Sequence, residues 1–117
     1  MKKDYSCQNN KKIVVIECNK MLQIDIQKIS YIQCNSNIST IYFADKAKPI
    51  ITGKQLKLFE AELSELGFVR ANRNTLVNAK YIEKVENYNN KILTLVTNEK
   101  ITISCRRLSK IRKILCS

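Results

Sequence analysis

Short runs of apolar and β-branched residues, each followed by turn-forming residues, recur along this sequence. The first run, residues 13–18, ends at Asn19 and Lys20, where the sequence predicts a tight hairpin turn. Residues 21–27 then alternate between apolar and polar side chains, as in a strand with one face in water. Further strand-type segments begin at Ile29, Ile38, Pro49, Tyr81, Lys91 and Lys100. Segments of this length predict short antiparallel strands, and the last three predict a β-meander.

Two other segments have helical periodicity. Residues 54–66 place apolar side chains three and four positions apart, and Gly67 follows where a helix cap belongs. The apolar stripe consists of Leu56, Phe59, Leu63 and Leu66. In residues 106–115 the apolar seam is Leu108, Ile111 and Leu115, and Ser104 is a candidate N-cap. The predicted fold is therefore mainly β, with one central and one C-terminal helix.

The charge of the chain is strongly unbalanced. Its 117 residues carry 21 Lys and Arg against 10 Asp and Glu, a formal net charge of +11. We expect one domain at residues 13–117 behind a flexible basic tail at residues 1–12. Without a secretory signal or a run long enough to span a bilayer, a cytoplasmic protein is expected. The charge predicts a polyanionic partner such as nucleic acid, although ribosome surfaces and anionic membranes would also be attracted.

The residue types that catalysis and metal binding need are scarce. The chain has no His and only two Gly, and it has no nucleophile motif, so neither an enzyme nor a small-molecule substrate is expected. Its five Cys are scattered without paired spacing, which disfavours a zinc site; no metal or cofactor is expected. We expect free thiols, with Cys18 in the core. Cys34 and Cys105 lie near basic or loop residues, which leaves a redox role open.

Three polar segments are candidates for contacting nucleic acid. The middle one, residues 68–78, concentrates arginines and asparagines between apolar anchors, and such side chains can bind phosphates and base edges. The others are the loop at residues 34–37 and the start of the last helix, where a phosphate could bind. The candidate residues are Asn35, Asn37, Arg70, Asn72, Arg73, Asn74, Ser104, Arg106, Arg107 and Lys110. The plainer interpretation of the middle segment is a solvated turn. For the last helix it is a basic face exposed to solvent.

These segments, in this order, resemble the LytTR family of bacterial DNA-binding domains. Residues 68–78 are similar to its central motif, in which a phenylalanine, an arginine and a short polar triplet precede a Leu-Val-Asn step. Ser104, Arg106 and Arg107 resemble its closing Ser-x-Arg-Arg motif, and residues 29–38 its early strand and recognition loop. The resemblance extends over residues 13–115. It implies an elongated β fold that binds duplex DNA sequence-specifically, inserts loops into successive major grooves and bends the DNA.

The resemblance also implies individual roles. By position, Asn37, Arg73 and Arg106 would face DNA, while Arg70 and Arg107 would support phosphate contacts or the local structure. Two copies on repeated half-sites are expected. The chain departs from the family where Asn72 replaces the usual histidine of the triplet and Asn74 a small residue, and its first loop lacks a basic side chain. The base preferences of relatives therefore do not transfer.

Family members are commonly output domains of response regulators that carry an N-terminal receiver domain, which this sequence lacks. It is either cut from a longer regulator or stands alone, and Met1 favours the second. Restraint by a membrane or signalling protein is a hypothesis. A small basic RNA- or ribosome-associated protein is the alternative function, although aromatic residues for stacking on bases are few. A protein-interaction module is the third possibility.

Overall fold

The computed structural model describes residues 11–87 and 91–116, which form antiparallel strands and two α-helices. The strands are β1 Lys12–Glu17, β2 Lys20–Asp25, β3 Ile29–Asn35, β4 Ile38–Phe43, β5 Ile50–Thr52, β6 Phe68–Asn72, β7 Thr75–Asn78, β8 Ile82–Asn87, β9 Lys91–Leu95 and β10 Lys100–Thr102. The helices are α1 Leu56–Leu63 and α2 Cys105–Cys116. The predicted mainly β fold with one central and one C-terminal helix is confirmed. No helix in the described ranges is long and apolar enough to cross a membrane.

The strands form three antiparallel sheets. β1 and β2 make a two-stranded hairpin, and the central five-stranded sheet has the order β5-β4-β3-β7-β6. The third sheet, in the order β10-β9-β8, is the predicted meander. The sequence also predicts a turn at Asn89 and Asn90, and these two residues lie outside the described ranges, as do residues 1–10 of the predicted tail. Lys12, the last residue of that tail, already belongs to β1.

Two hydrophobic clusters fill the interior, and β6 and β7 contribute to both. Phe68 and Leu76 belong to the cluster built from β1 to β4 and α1. Val69 and Val77, one position further along each strand, belong to the cluster that includes the meander and Ile111 of α2. Successive strand residues point to opposite faces, so the β6–β7 hairpin lies between the two clusters. This double burial fixes the hairpin that carries the central polar segment.

The first hairpin departs from the sequence prediction by one residue. Glu17 pairs with Lys20, so the turn is Cys18–Asn19, and both residues have positive φ, 49° and 68°. Two left-handed residues in a two-residue loop match the right-handed twist of the strands that they join. The prediction that Cys18 is a core residue is wrong, because its place in this turn exposes it to solvent.

Both helices depart from their predicted apolar stripes at the last position. α1 ends at Leu63 and continues as the short 3-10 helix Ser64–Leu66, whose tighter winding leaves Leu66 38% exposed. Gly67 caps it with φ of 95°, as predicted. In α2, Ile111 is buried, but Ile114 packs against the core where Leu115 was predicted to do so. Both follow Ile111 by about one turn, and packing against the meander selects Ile114.

Candidate nucleic-acid interface

The β6–β7 turn exposes two of the predicted residues and uses a third internally. Arg73 and Asn74 form the turn and are exposed. Asn72 accepts a hydrogen bond from the backbone N–H of Asn74 at 2.8 Å and donates its Nδ2–H to the carbonyl of Thr102 at 2.6 Å. A register shift between Arg70 and Asn72 adds a residue to β6. Such a bulge re-aims a side chain, here Asn72 towards β10.

Arg70 holds the same turn from the opposite side. One of its Nη atoms donates to Glu60 at 2.5 Å, and the other donates to the carbonyl of Arg73 at 2.9 Å. The Arg70 side chain is 16% exposed, so its guanidinium is largely removed from solvent. An Nη atom of Arg107 lies 3.9 Å from the second carboxylate oxygen of Glu60. One carboxylate of α1 therefore contacts arginines from both β6 and α2.

Sequence reasoning missed Glu60. It lies in α1 between the buried Phe59 and exposed positions, and no local pattern distinguishes it from Glu62, two residues later. The helical period shows that residue 60 borders the apolar stripe, but not that two arginines distant in sequence meet there. Its role depends on how α1, β6 and α2 pack together.

The first predicted loop lies beside the β6–β7 turn. β3 pairs with β7, with Gln33 opposite Thr75, and the N–H of Cys34 donates to the carbonyl of Asn74 at 2.8 Å. The β3–β4 turn contains Ser36, with φ of 60°, and Asn37. Asn35 and Asn37 are both exposed. The structure thus brings the first and second polar segments to the same end of the central sheet.

The third segment meets the other side of the turn. The N–H of Ser104 donates to the carbonyl of Ala71 at 2.9 Å, which joins the start of α2 to β6. Arg106 and Lys110 are exposed four positions apart, so they share a face of α2. Within the described ranges, neither side chain forms an ion pair. These two cations are therefore available for an anionic ligand.

One depression borders the β6–β7 turn, and a second borders the neighbouring β3–β4 turn. The larger, about 440 Å³, is lined mostly by residues of polar type. Its lining residues are Gln33, Asn72, Arg73, Asn74, Thr75, Lys100, Ile101, Thr102 and Ser104. The smaller, about 210 Å³, includes Asn37, Arg70, Cys34 and Lys57. Gln33, Lys57 and Lys100 were not predicted. Gln33 and Lys100 lie in strands and Lys57 lies in α1, and these positions give no sign that the residues border either turn.

The cysteines of the described ranges are free thiols. Cys34 is half-buried, and its thiol lies 3.8 Å from the carbonyl of Ser36, while Cys105 is exposed at the start of α2. No cluster of metal-ligating side chains occurs in residues 11–87 and 91–116. A redox role for Cys34 or Cys105 stays a prediction.

Comparison with known proteins identifies the class to which this fold and site belong. The family model described as the LytTr DNA-binding domain matches residues 19–116, which is most of the chain. The protein is therefore a β-rich DNA-binding domain. It belongs to the LytTR family of DNA-binding domains, as its motifs predicted.

A solved structure has the same fold. It is the LytTr DNA-binding domain of a Bacillus cereus protein described as a methyl-accepting/DNA response regulator. The two chains are 18% identical and superpose with a TM-score of 0.73, over 89% of this chain and 95% of the other. At this identity the likeness concerns the fold alone. No curated protein sequence matches the chain significantly.

Proposed function

We propose that this domain recognises a specific duplex DNA sequence and acts as a bacterial transcriptional regulator in the cytoplasm. The observation that carries the proposal is the β6–β7 turn. Arg73 and Asn74 project from a hairpin that is buried on both faces, between the β3–β4 turn and the start of α2. A rigid, narrow protrusion that carries a guanidinium and an amide suits the major groove, where these groups match guanine and adenine edges.

The contacts divide the predicted residues into two groups. Arg73, Asn74, Arg106, Lys110, Asn35 and Asn37 have exposed side chains and would contact DNA directly. Arg70 and Asn72 hold the turn through hydrogen bonds, and Arg107 pairs with Glu60. We assign Arg70, Asn72 and Arg107 to support of the interface. Ser104 would offer its hydroxyl to a phosphate at the beginning of α2.

Binding of two copies to repeated half-sites, with bending of the DNA, completes the proposal. It rests on the family resemblance and on the elongated domain, whose principal extents are 49 × 34 × 24 Å. The longest extent exceeds the rise of one DNA turn, about 34 Å, so a domain of this length could reach beyond a single groove. Restraint by a membrane or signalling protein belongs to the same proposal, and a bacterial two-hybrid screen without such a partner would count against it.

Selection of bound sequences from a random duplex library tests the proposal. At about 150 mM salt, where non-specific attraction to phosphates is weakened, we expect a short repeated motif to be enriched. Absence of enrichment, with binding that disappears as salt rises, would contradict sequence-specific recognition. Single-stranded RNA as competitor tests the alternative function. The described Tyr and Phe residues are buried or half-buried, which leaves no exposed ring in those ranges for stacking on unpaired bases.

Substitutions then separate base contacts from phosphate contacts. Arg73→Ala and Arg106→Ala should each cost about 1–3 kcal/mol of binding free energy and relax the preference at one position. Lys113→Ala, which removes an exposed cation from α2, should weaken binding to all sequences alike and reduce the salt dependence. Equal effects of the three substitutions on selected and scrambled duplexes would reject the base-reading assignment.

A further inference from the structure

We propose that Glu60 is a positioning residue of the DNA interface: it orders the β6–β7 turn through Arg70 and restrains Arg107. This inference rests on the proposed function, because it concerns how the same interface achieves specificity. Glu60 itself lies on α1, belongs to none of the three polar segments and would not touch DNA.

The geometry forms a chain of contacts from α1 to the tip of the turn. Glu60 accepts a hydrogen bond from Arg70 at 2.5 Å, and Arg70 donates to the carbonyl of Arg73 at 2.9 Å. The carbonyl of the next residue, Asn74, accepts from the N–H of Cys34. Both backbone carbonyls of the turn are therefore engaged, one of them through Glu60 and Arg70. A turn held in this way presents its side chains in one arrangement, as base recognition requires.

The charges explain why Arg70 needs Glu60. The Arg70 guanidinium is largely removed from solvent, and its Nε has no hydrogen-bond partner in the described part of the chain. A buried cation left without its counter-ion is strongly unfavourable, so Arg70 would move towards solvent if the carboxylate were lost. Its hydrogen bond to the carbonyl of Arg73 would then be lost as well.

Glu60 also limits non-specific attraction to DNA. One of its carboxylate oxygens lies 3.9 Å from an Nη atom of Arg107. Arg107 follows the exposed Arg106 at the start of α2. With the carboxylate present, one negative charge offsets that of Arg70 and weakens the field of Arg107. Without it, both cations become available to phosphates, which attract them irrespective of sequence. One residue would thus raise the affinity for the correct site and lower it for all others.

Glu60→Gln tests the inference, with Glu62→Gln as a matched control. Both substitutions remove one negative charge from α1, but Glu62 is 49% exposed and pairs with Lys54 at 2.6 Å instead of with an arginine. We expect Glu60→Gln to lower the ratio of specific to non-specific affinity about tenfold, with tighter binding to scrambled duplex and a steeper salt dependence. Glu62→Gln should leave the ratio within about twofold of the unsubstituted protein.

The measurement is the dissociation constant for the selected site and for a scrambled duplex at several salt concentrations, corrected for the folded fraction by urea unfolding. An unchanged ratio in Glu60→Gln, or a parallel loss of both affinities, would overturn the positioning role. If the unsubstituted protein itself shows no preference, the proposed function fails instead. Hydrogen exchange of the Cys34 amide tests the positioning role without DNA and therefore separates it from the proposed function. This exchange should accelerate in Glu60→Gln and not in Glu62→Gln.

Discussion

Residues of the same type have different roles at the β6–β7 turn. Arg73 and Asn74 are exposed, whereas Arg70, three positions before Arg73, and Asn72, two positions before Asn74, use their polar atoms inside the protein. The Asn72 side chain accepts a hydrogen bond from an N–H within the turn and donates one to a carbonyl of β10. Its amide is therefore a structural link between two sheets, and a base in the groove would have to compete with both partners.

Asn72→Ala and Asn74→Ala should affect different properties. Asn72→Ala removes two hydrogen bonds and should lower the free energy of unfolding by about 1–2 kcal/mol. Asn74→Ala removes an exposed side chain and should change stability by no more than about 0.5 kcal/mol while weakening binding to the selected site. Urea unfolding and binding titrations measure the two effects. Equal loss of stability in both variants would show that Asn72 is not the link.

The surroundings of Tyr31 shift the pKa of its phenol. Burial raises the pKa of Tyr31 to about 12 from its ordinary value of 10, and the negative charge of Glu99 and the neighbouring Tyr42 add to this rise. Its ring stacks on that of Tyr42, with centroids 4.5 Å apart. The folded protein therefore holds the Tyr31 proton more tightly than the unfolded chain does.

This shift predicts a loss of stability in alkaline solution. Below pH 10 Tyr31 is protonated in both states, and its contribution is fully present. Between about pH 10 and 12 only the unfolded chain releases the proton, so the free energy of unfolding falls as pH rises. Tyr31→Phe keeps the ring and removes the hydroxyl, so the decline in urea midpoint between pH 9 and 11.5 should be shallower. An identical decline in the two proteins would assign it to other groups.

Among the elements, the β6–β7 hairpin is packed on both of its faces. One face of it packs on α1 and the first cluster, and the other packs on the meander and α2. β6 is also the edge of its sheet, and the ion pairs of Glu60 link α1 and α2 there. The polar turn is therefore rigid because the hairpin is anchored from both sides, while its tip stays free for a ligand.

The junction between α1 and β6 depends on Gly67. Its φ of 95° is left-handed, and no atom lies near a Cβ added there, so Gly67→Ala would be unfavourable for backbone strain alone. We expect a loss of about 1–2 kcal/mol in the free energy of unfolding. Gly53→Ala is the control: it also meets open space but has no left-handed φ, and it should be neutral or stabilising by up to about 1 kcal/mol. Thermal unfolding compares them, and equal midpoints would reject the strain argument.

At the scale of the whole molecule, charge and shape favour the same ligand. The net charge of +11 attracts phosphates over a distance, and the longest extent of 49 Å exceeds one turn of duplex DNA. We expect an elongated and basic domain to neutralise phosphates at more than one groove and, as proposed above, to bend the DNA. The energy of such curvature depends on sequence and contributes to specificity.

The proposed DNA bending can be measured. A duplex of about 30 base pairs that contains the selected half-sites, labelled at both ends, should shorten its end-to-end distance on binding, consistent with a bend of about 40–90°. Energy transfer between the labels measures this distance, and mass measurement of the complex gives the number of copies, expected to be two. A scrambled duplex is the control. An unchanged distance at saturation would contradict bending, and one copy per duplex would contradict paired half-sites.

Local sequence patterns predicted much of this protein. β-branched runs between turn formers gave the strands, apolar spacing gave α1 and α2, and Gly67 marked the end of the first helix, because each depends on neighbours close in the chain. The motifs around Arg70, Arg73 and Ser104 identified the family and the polar segments. The errors at Cys18, Leu66 and Leu115 concern the last position of a pattern, where one residue decides between core and solvent.

The sequence by itself therefore determined the class of fold, the family and the segments that form the interface. Only the tertiary structure decided which polar atoms remain free in those segments. Asn72 bonds to Thr102, 30 residues away, and Glu60 meets Arg70 and Arg107 from separate elements. The physical reason is that a hydrogen bond or an ion pair forms between whichever groups packing brings within reach. That distance depends on the whole arrangement of helices and sheets.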